Sequence, residues 1–222
     1  MTARQVTTLP DLVVFDFDGV ILDSAGIKTQ GFADLFADRT EHVDAIVALH
    51  HRYGGYSRYR QFEMIYREIL DEPLDDATSR TLGARYSELC LDRVLQADAI
   101  PGALEFLERH SAELPCWVAS GSPHDELVLT IHRRDLAGYF RGVRGSPTTK
   151  PQTITEALAT HAADPNRTVL VGDARSDLDA AQQGGIRFIG IVAPGLADPF
   201  PAGTLTRPDL TDLEATLTGL GI

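Results

Sequence analysis

Two carboxylates one residue apart, Asp16 and Asp18, close the apolar run Val13-Val14-Phe15 and are followed at once by Gly19. Alternation along an extended chain turns both to one side, and the glycine lets the backbone bend sharply and approach a ligand closely. At about 4 Å and an effective dielectric near 20 such a pair repels by roughly 4 kcal/mol, so a cation or a shared proton has to compensate. Bound Mg²⁺ is the expectation. An acidic turn facing water is the plain alternative for this motif taken alone.

Three more polar clusters follow in order: Ala119-Ser120-Gly121-Ser122, then Thr149-Lys150-Pro151, then Gly172-Asp173 with Asp177 four residues on. Singly they read as a turn, a helix start and a helix cap. The basic residues add a second signal, because of 20 only Lys28 and Lys150 are lysines. A compact ammonium in such an arginine-rich chain asks for a positional reason.

These clusters need a scaffold that brings them together. Leu12 to Phe15, Cys116 to Ala119, Thr168 to Val171 and Phe188 to Val192 are short apolar runs without strict alternation, the pattern of buried parallel strands. Helical patterns lie between them at Ala103 to Glu113, Asp125 to Leu136, Pro151 to His161 and Ser176 to Gln183. The implied fold class is α/β, a doubly wound parallel sheet. Ligands in such sheets bind beyond the carboxyl ends of the strands, where Asp18, Ser120 and Asp173 fall. From residue 24 to 97 the strand signal gives way to four helical stretches, an inserted helical bundle, so the core is expected over 1–23 and 98–222. The tail from Pro194 to Pro208 reads as loop, followed by a last helix from about Asp209 to Leu217.

Together and in this order, the four clusters resemble the haloacid dehalogenase superfamily, and the resemblance covers nearly the whole chain. It implies a Rossmann-like core with a helical cap domain inserted after the Val20 to Asp23 flap. It implies Asp16 as a nucleophile toward phosphorus, and Mg²⁺ held by Asp16 and Asp173 through carboxylates and by Asp18 through its carbonyl. Asp18 matches the general acid and base, with its pKa expected to be raised by the neighbouring carboxylates. Ser120, the amide of Gly121 and Lys150 match the groups that hold the phosphoryl oxygens, and Asp177 matches the outer acid that supports Lys150.

Within the insertion, His50 to Arg60 form a basic and aromatic island. Its Gly55-x-Ser57-Arg58 resembles the substrate loop of the β-phosphoglucomutase-like branch, which makes Arg58 the leading specificity residue. Arg52 and Arg60 read equally well as a solvated helix face. His50 and His51 lack partners at ligand spacing and read as packed or surface residues. Lys28 stands where those relatives commonly carry a histidine, and Gly172 where many have a glutamate; both departures favour a phosphatase over a mutase. Lys28 is a candidate for an anionic substrate group.

At 222 residues, with net charge -12 and pI near 4.9, the chain has the size for one core plus an insertion and lacks the basic surface of a nucleic-acid binder. Cys90 and Cys116 show no disulfide or zinc spacing. The first ten residues lack a leader pattern and no run reaches membrane-span length, so no membrane partner is expected and the cytoplasm is the expected location. The implied activity is Mg²⁺-dependent hydrolysis of a small phosphorylated metabolite, a sugar or polyol phosphate, through an aspartyl-phosphate intermediate. A phosphosugar mutase is the alternative, and a non-enzymatic phosphoacceptor receiver domain a weaker one, since receivers lack the acidic motif after the lysine. The sequence leaves the substrate and the oligomeric state open.

Overall fold

The structure, a computed structural model, describes residues 9–222. Most of the segment read for a leader pattern therefore lies outside the described residues. A six-stranded, all-parallel sheet runs in the order β3-β2-β1-β4-β5-β6, with β1 (Leu12–Phe15), β2 (Cys116–Pro123), β3 (Gly142–Ser146), β4 (Thr168–Gly172), β5 (Arg187–Ile191) and β6 (Thr206–Arg207). The chain builds outward from β1 through β2 to β3, then crosses back to place β4 on the other side of β1. That reversal sets the carboxyl ends of β1 and β4 side by side, where a doubly wound sheet opens a crevice.

All four residues of β1 are fully buried, because both faces of the sheet are covered. Val13 and Phe15 face one layer with Phe106 and Leu107; Leu12 and Val14 face the other with Trp117, Ile154 and Ala180. Full burial of a side chain such as Phe15 contributes about 1.5–3 kcal/mol. Helices α5 (Ala103–His110), α6 (His124–Arg133), α7 (Lys150–His161), α8 (Arg175–Gly184) and α9 (Leu213–Gly219) accompany the strands.

Between β1 and α5 stand α1 (Ala25–Leu35), α2 (Val43–Arg52), α3 (Arg58–Ile65) and α4 (Asp76–Gln96). Their centre is aromatic: the Phe32 ring lies 4.8 Å from Tyr86 and 5.8 Å from Phe62. These rings belong to the same apolar cluster as Phe15, so the insertion's core is continuous with one face of the sheet.

Four local differences from the sequence reading have physical causes. The tail read as loop from Pro194 to Pro208 contains β6, because the amides of Gly190 and Val192 on the open edge of β5 donate to the Leu205 and Arg207 carbonyls. β3 carries no apolar run because the Trp117 ring occupies the space above it; a Cβ on Gly142 would lie 2.5 Å from that ring. Helix α3 passes into a π-helical turn, Tyr66–Leu70, that ends at Asp71 with φ +52°. The last helix starts at Leu213 and not near Asp209, since the amide of Leu210 is drawn to the Pro101 carbonyl and the Asp209 carboxylate takes the Thr211 amide. Among the described residues no helix is long and apolar enough to cross a membrane.

Candidate active site

Asp16 stands one residue past β1, its amide bonded to the Val171 carbonyl of β4 at 2.9 Å. Its Oδ1 accepts the Phe17 amide at 2.7 Å, and its Oδ2 lies 2.9 Å from the Lys150 ammonium. The chain then folds back on itself: the amides of Ile21 and Leu22 both reach the Phe17 carbonyl. Gly19 has φ +82°, and a Cβ there would lie 2.3 Å from Asp173 Oδ2, so the turn needs glycine for both conformation and space.

Lys150 opens α7 under a capping box made by Thr149 and Gln152, with Pro151 in the first turn. Its side chain is 6% exposed and bridges Asp16 to Asp177, the latter at 2.5 Å. Asp177 spends its second oxygen on the Ala174 amide at 3.1 Å, at the start of α8. A Cβ on Gly172 would sit 2.3 Å from that of Asp177, so the missing side chain at 172 is what lets Asp177 reach the lysine.

Ligand oxygens of Asp16, Asp173 and Asp177 all lie within 4.8 Å of one another. Burial pushes the Asp16 carboxyl up to about 7, with Lys150 opposing and Asp177 adding to the rise. Burial and then the charges of Asp16 and Asp177 hold Asp173 far above the usual carboxylate range. Lys150 is held above its ordinary value, its two carboxylate partners outweighing the burial that would lower it. One ammonium thus faces three crowded carboxylates. Such a set of hard oxygens with excess negative charge fits a small divalent cation such as Mg²⁺.

Asp18 is a correction to the sequence reading. Its carboxylate is not among those three and is held separately, Ser24 donating to Oδ1 at 2.6 Å and Ser122 to Oδ2 at 2.9 Å. Lys28 stands 3.7 Å from Oδ2 and donates to the Ser122 hydroxyl at 3.1 Å. Burial alone would raise its pKa, but Lys28 and the two hydroxyls together bring it below the ordinary value, against the raised pKa expected from the sequence. Ser120 is 3% exposed, where the β2–β3 pairing shifts register, and accepts the Ser122 amide at 3.1 Å.

The insertion reaches into this site. The Ser176 hydroxyl on α8 donates to the Gly54 carbonyl at 2.9 Å, and a Cβ on Gly121 would meet the Gly55 carbonyl at 2.5 Å. Arg58 is 4% exposed and forms a two-pronged pair with Glu126 of α6 at 2.7 and 3.0 Å. Arg52 is exposed and Arg60 stacks over Tyr56 at 4.0 Å. His50 is packed, stacked on Phe32 at 4.5 Å and bonded to Gln61 at 2.8 Å, while His51 is exposed. Ser176 and Glu126 were not legible as site residues, because each acts on a partner distant in sequence: Ser176, between Asp173 and Asp177 in the fourth cluster, reaches Gly54, and Glu126, in no motif, reaches Arg58.

Residues 10–185 match the sequence profile of the haloacid dehalogenase-like hydrolases. Phosphoglycolate phosphatase 1 of Pseudomonas aeruginosa is 23% identical over 189 residues, 82% of this chain and 69% of that one. Among solved structures, a hydrolase from Pseudomonas syringae superposes with a TM-score of 0.78 at 21% identity, covering 94% of this chain and 98% of its own. CbbY from Rhodobacter sphaeroides, solved in complex with phosphate, gives a TM-score of 0.70 at 16% identity, covering 92% and 96%.

Proposed function

The chain belongs to the haloacid dehalogenase-like hydrolases, and on that premise we propose that it is a Mg²⁺-dependent phosphatase acting on a small phosphorylated metabolite, a sugar or polyol phosphate. The observation that carries this reading is the buried Asp16, Asp173 and Asp177 cluster with Lys150 at the carboxyl ends of β1 and β4. Phosphatases among the relatives support the reaction class.

Asp16 Oδ2 supplies the electron pair for phosphorus, and Lys150 keeps that carboxylate ionised and aimed while neutralising charge on the phosphoryl oxygens. Asp16 and Asp173 would hold Mg²⁺ with the Asp18 carbonyl, and the ion would offset the repulsion between the incoming phosphate and the nucleophile. Ser120 and the Gly121 amide bind phosphoryl oxygens. Asp18, ionised in the free enzyme, would take up a proton from solvent as the phosphate dianion enters, pass it to the leaving oxygen as the ester bond breaks, and then take one from the water that hydrolyses the aspartyl phosphate. Ser24, Ser122 and Lys28 fix its carboxyl for both steps. Gly172 favours phosphatase over mutase, since Asp177 fills the space a side chain there would need.

The reading is tested by a phosphate-release screen over phosphorylated sugars, polyols, short acids such as phosphoglycolate, and nucleotides, with Mg²⁺ and with excess chelator. Release in Mg²⁺ that chelator abolishes is the expected result. Absence of release from every ester, or release undiminished by chelator, overturns it.

A further inference from the structure

A water-sized cavity of about 10 Å³ beside Asp18 is lined by Lys28, Ser122 and Glu126 together with Phe17 and Val94, and on the phosphatase reading it marks the side toward which the departing group of a phosphate ester points. Glu126, and not Arg58, faces this space. Arg58 stands behind it: its guanidinium grips both oxygens of Glu126, donates to Ser87 at 2.6 Å and lies over the Tyr86 ring at 4.6 Å. Ser87 also donates to Glu126, so that carboxylate is held from two elements of the insertion. Arg58 is close enough for its charge to act on Asp18.

The arginine that the sequence offers to an anionic substrate group is therefore already bound to an anion supplied by the chain. A second phosphate at the far end of a substrate could win it only by stripping Glu126 of its partner, leaving an unpaired carboxylate beside a dianion. Lys28, the one cation among the described residues lining the cavity, is itself engaged with Asp18 and Ser122. We propose that Glu126 is a specificity-determining residue: by occupying Arg58 and presenting a carboxylate to the leaving-group side, it denies doubly phosphorylated substrates the affinity a second phosphate would gain, so that they bind no better than monophosphates. The inference rests on the phosphatase reading for which side the leaving group takes.

The test is equilibrium binding by titration calorimetry in Mg²⁺-free buffer, with fructose 6-phosphate and fructose 1,6-bisphosphate as probes. For the wild type the two dissociation constants should agree within about threefold, and Glu126→Gln should bind the bisphosphate at least about tenfold more tightly than the monophosphate. Arg58→Gln/Glu126→Gln should return to the wild-type ratio. The proposal is overturned by an unchanged ratio in Glu126→Gln, by failure of that folded variant to bind either probe, by a gain that survives in the double variant, or by a wild type that already prefers the bisphosphate tenfold. If circular dichroism shows that Glu126→Gln does not fold, Glu126→Asp, which withdraws the carboxylate by one methylene, must shift the ratio the same way, and no shift overturns the proposal. Absence of phosphate release from all esters in Mg²⁺ would instead remove the phosphatase reading and leave the binding ratios readable.

Discussion

Ser176 and Gly54 are joined by a hydroxyl-to-carbonyl hydrogen bond of 2.9 Å that ties the first turn of α8 to the loop between α2 and α3. The bond fastens the insertion directly beside Lys150. Gly55, next in the chain, has φ +78°, and a Cβ there would lie 2.2 Å from Ser176 Oγ and 3.1 Å from Lys150 Nζ. The close approach of the loop to Ser176 and Lys150 thus depends on a residue without a side chain.

Gly55→Ala should hold the loop away from the core. Adding a left-handed backbone cost of about 1–2 kcal/mol to a direct collision, it should lower kcat/KM by about tenfold or more. Steady-state kinetics on any ester the wild type hydrolyses check this, and an unchanged kcat/KM would count against the loop's role.

Asp16→Asn should cut kcat by at least about a thousandfold, since an amide cannot form the phosphorylated intermediate. Lys150 keeps Asp177, and one charge leaves a crowded cluster, so the thermal midpoint should hold or rise. Normal turnover would refute the nucleophile assignment.

Lys150→Met removes the cation from between Asp16 and Asp177 and leaves buried carboxylates unpaired. A loss of about 3–5 kcal/mol in urea unfolding is expected, together with loss of activity. A loss under about 1 kcal/mol would mean that the lysine does not hold the cluster together.

His50 should give the chain a pH-dependent stability apart from the buried carboxylate cluster. Burial pushes its pKa down from 6.5 to about 4, against the hydrogen bond that its Nδ1 donates to Gln61 Oε1. The unfolded chain therefore binds the proton more readily than the folded one, so the stabilisation is complete above 6.5 and drains away as pH falls toward 4. At pH 5 the wild type should lose about 2 kcal/mol more than His50→Asn relative to pH 7.5, measured by urea unfolding. Parallel losses in the two proteins would exclude His50 as the cause.

Strands β1, β2, β4 and β5 were legible because burial on both faces writes an unbroken apolar run into the sequence. Asp16, Lys150, Asp173 and Asp177 were legible as a set because the order of their clusters along the chain matches the family pattern, and the structure gathers them at the carboxyl ends of β1 and β4. β3 was not, since Trp117 on its neighbour supplies the bulk that its own glycines lack. The proton affinity of Asp18 was misread for a related reason: Lys28 and Ser122, which lower it, come from α1 and the end of β2 and leave no trace near position 18. The Arg58–Glu126 pair spans 68 residues, and neither partner's local sequence announces the other.

The scarcity of lysine gives the folded chain an unusual chemical signature. Both lysine side chains are enclosed, Lys150 at 6% exposure and Lys28 at 15%. Acylating reagents should find almost no side-chain amine to attack while the fold holds, and two at once when it opens. Labelling of those positions would report in a single reading on the loosening of the molecule and on the loss of the ammonium that pairs Asp16 with Asp177.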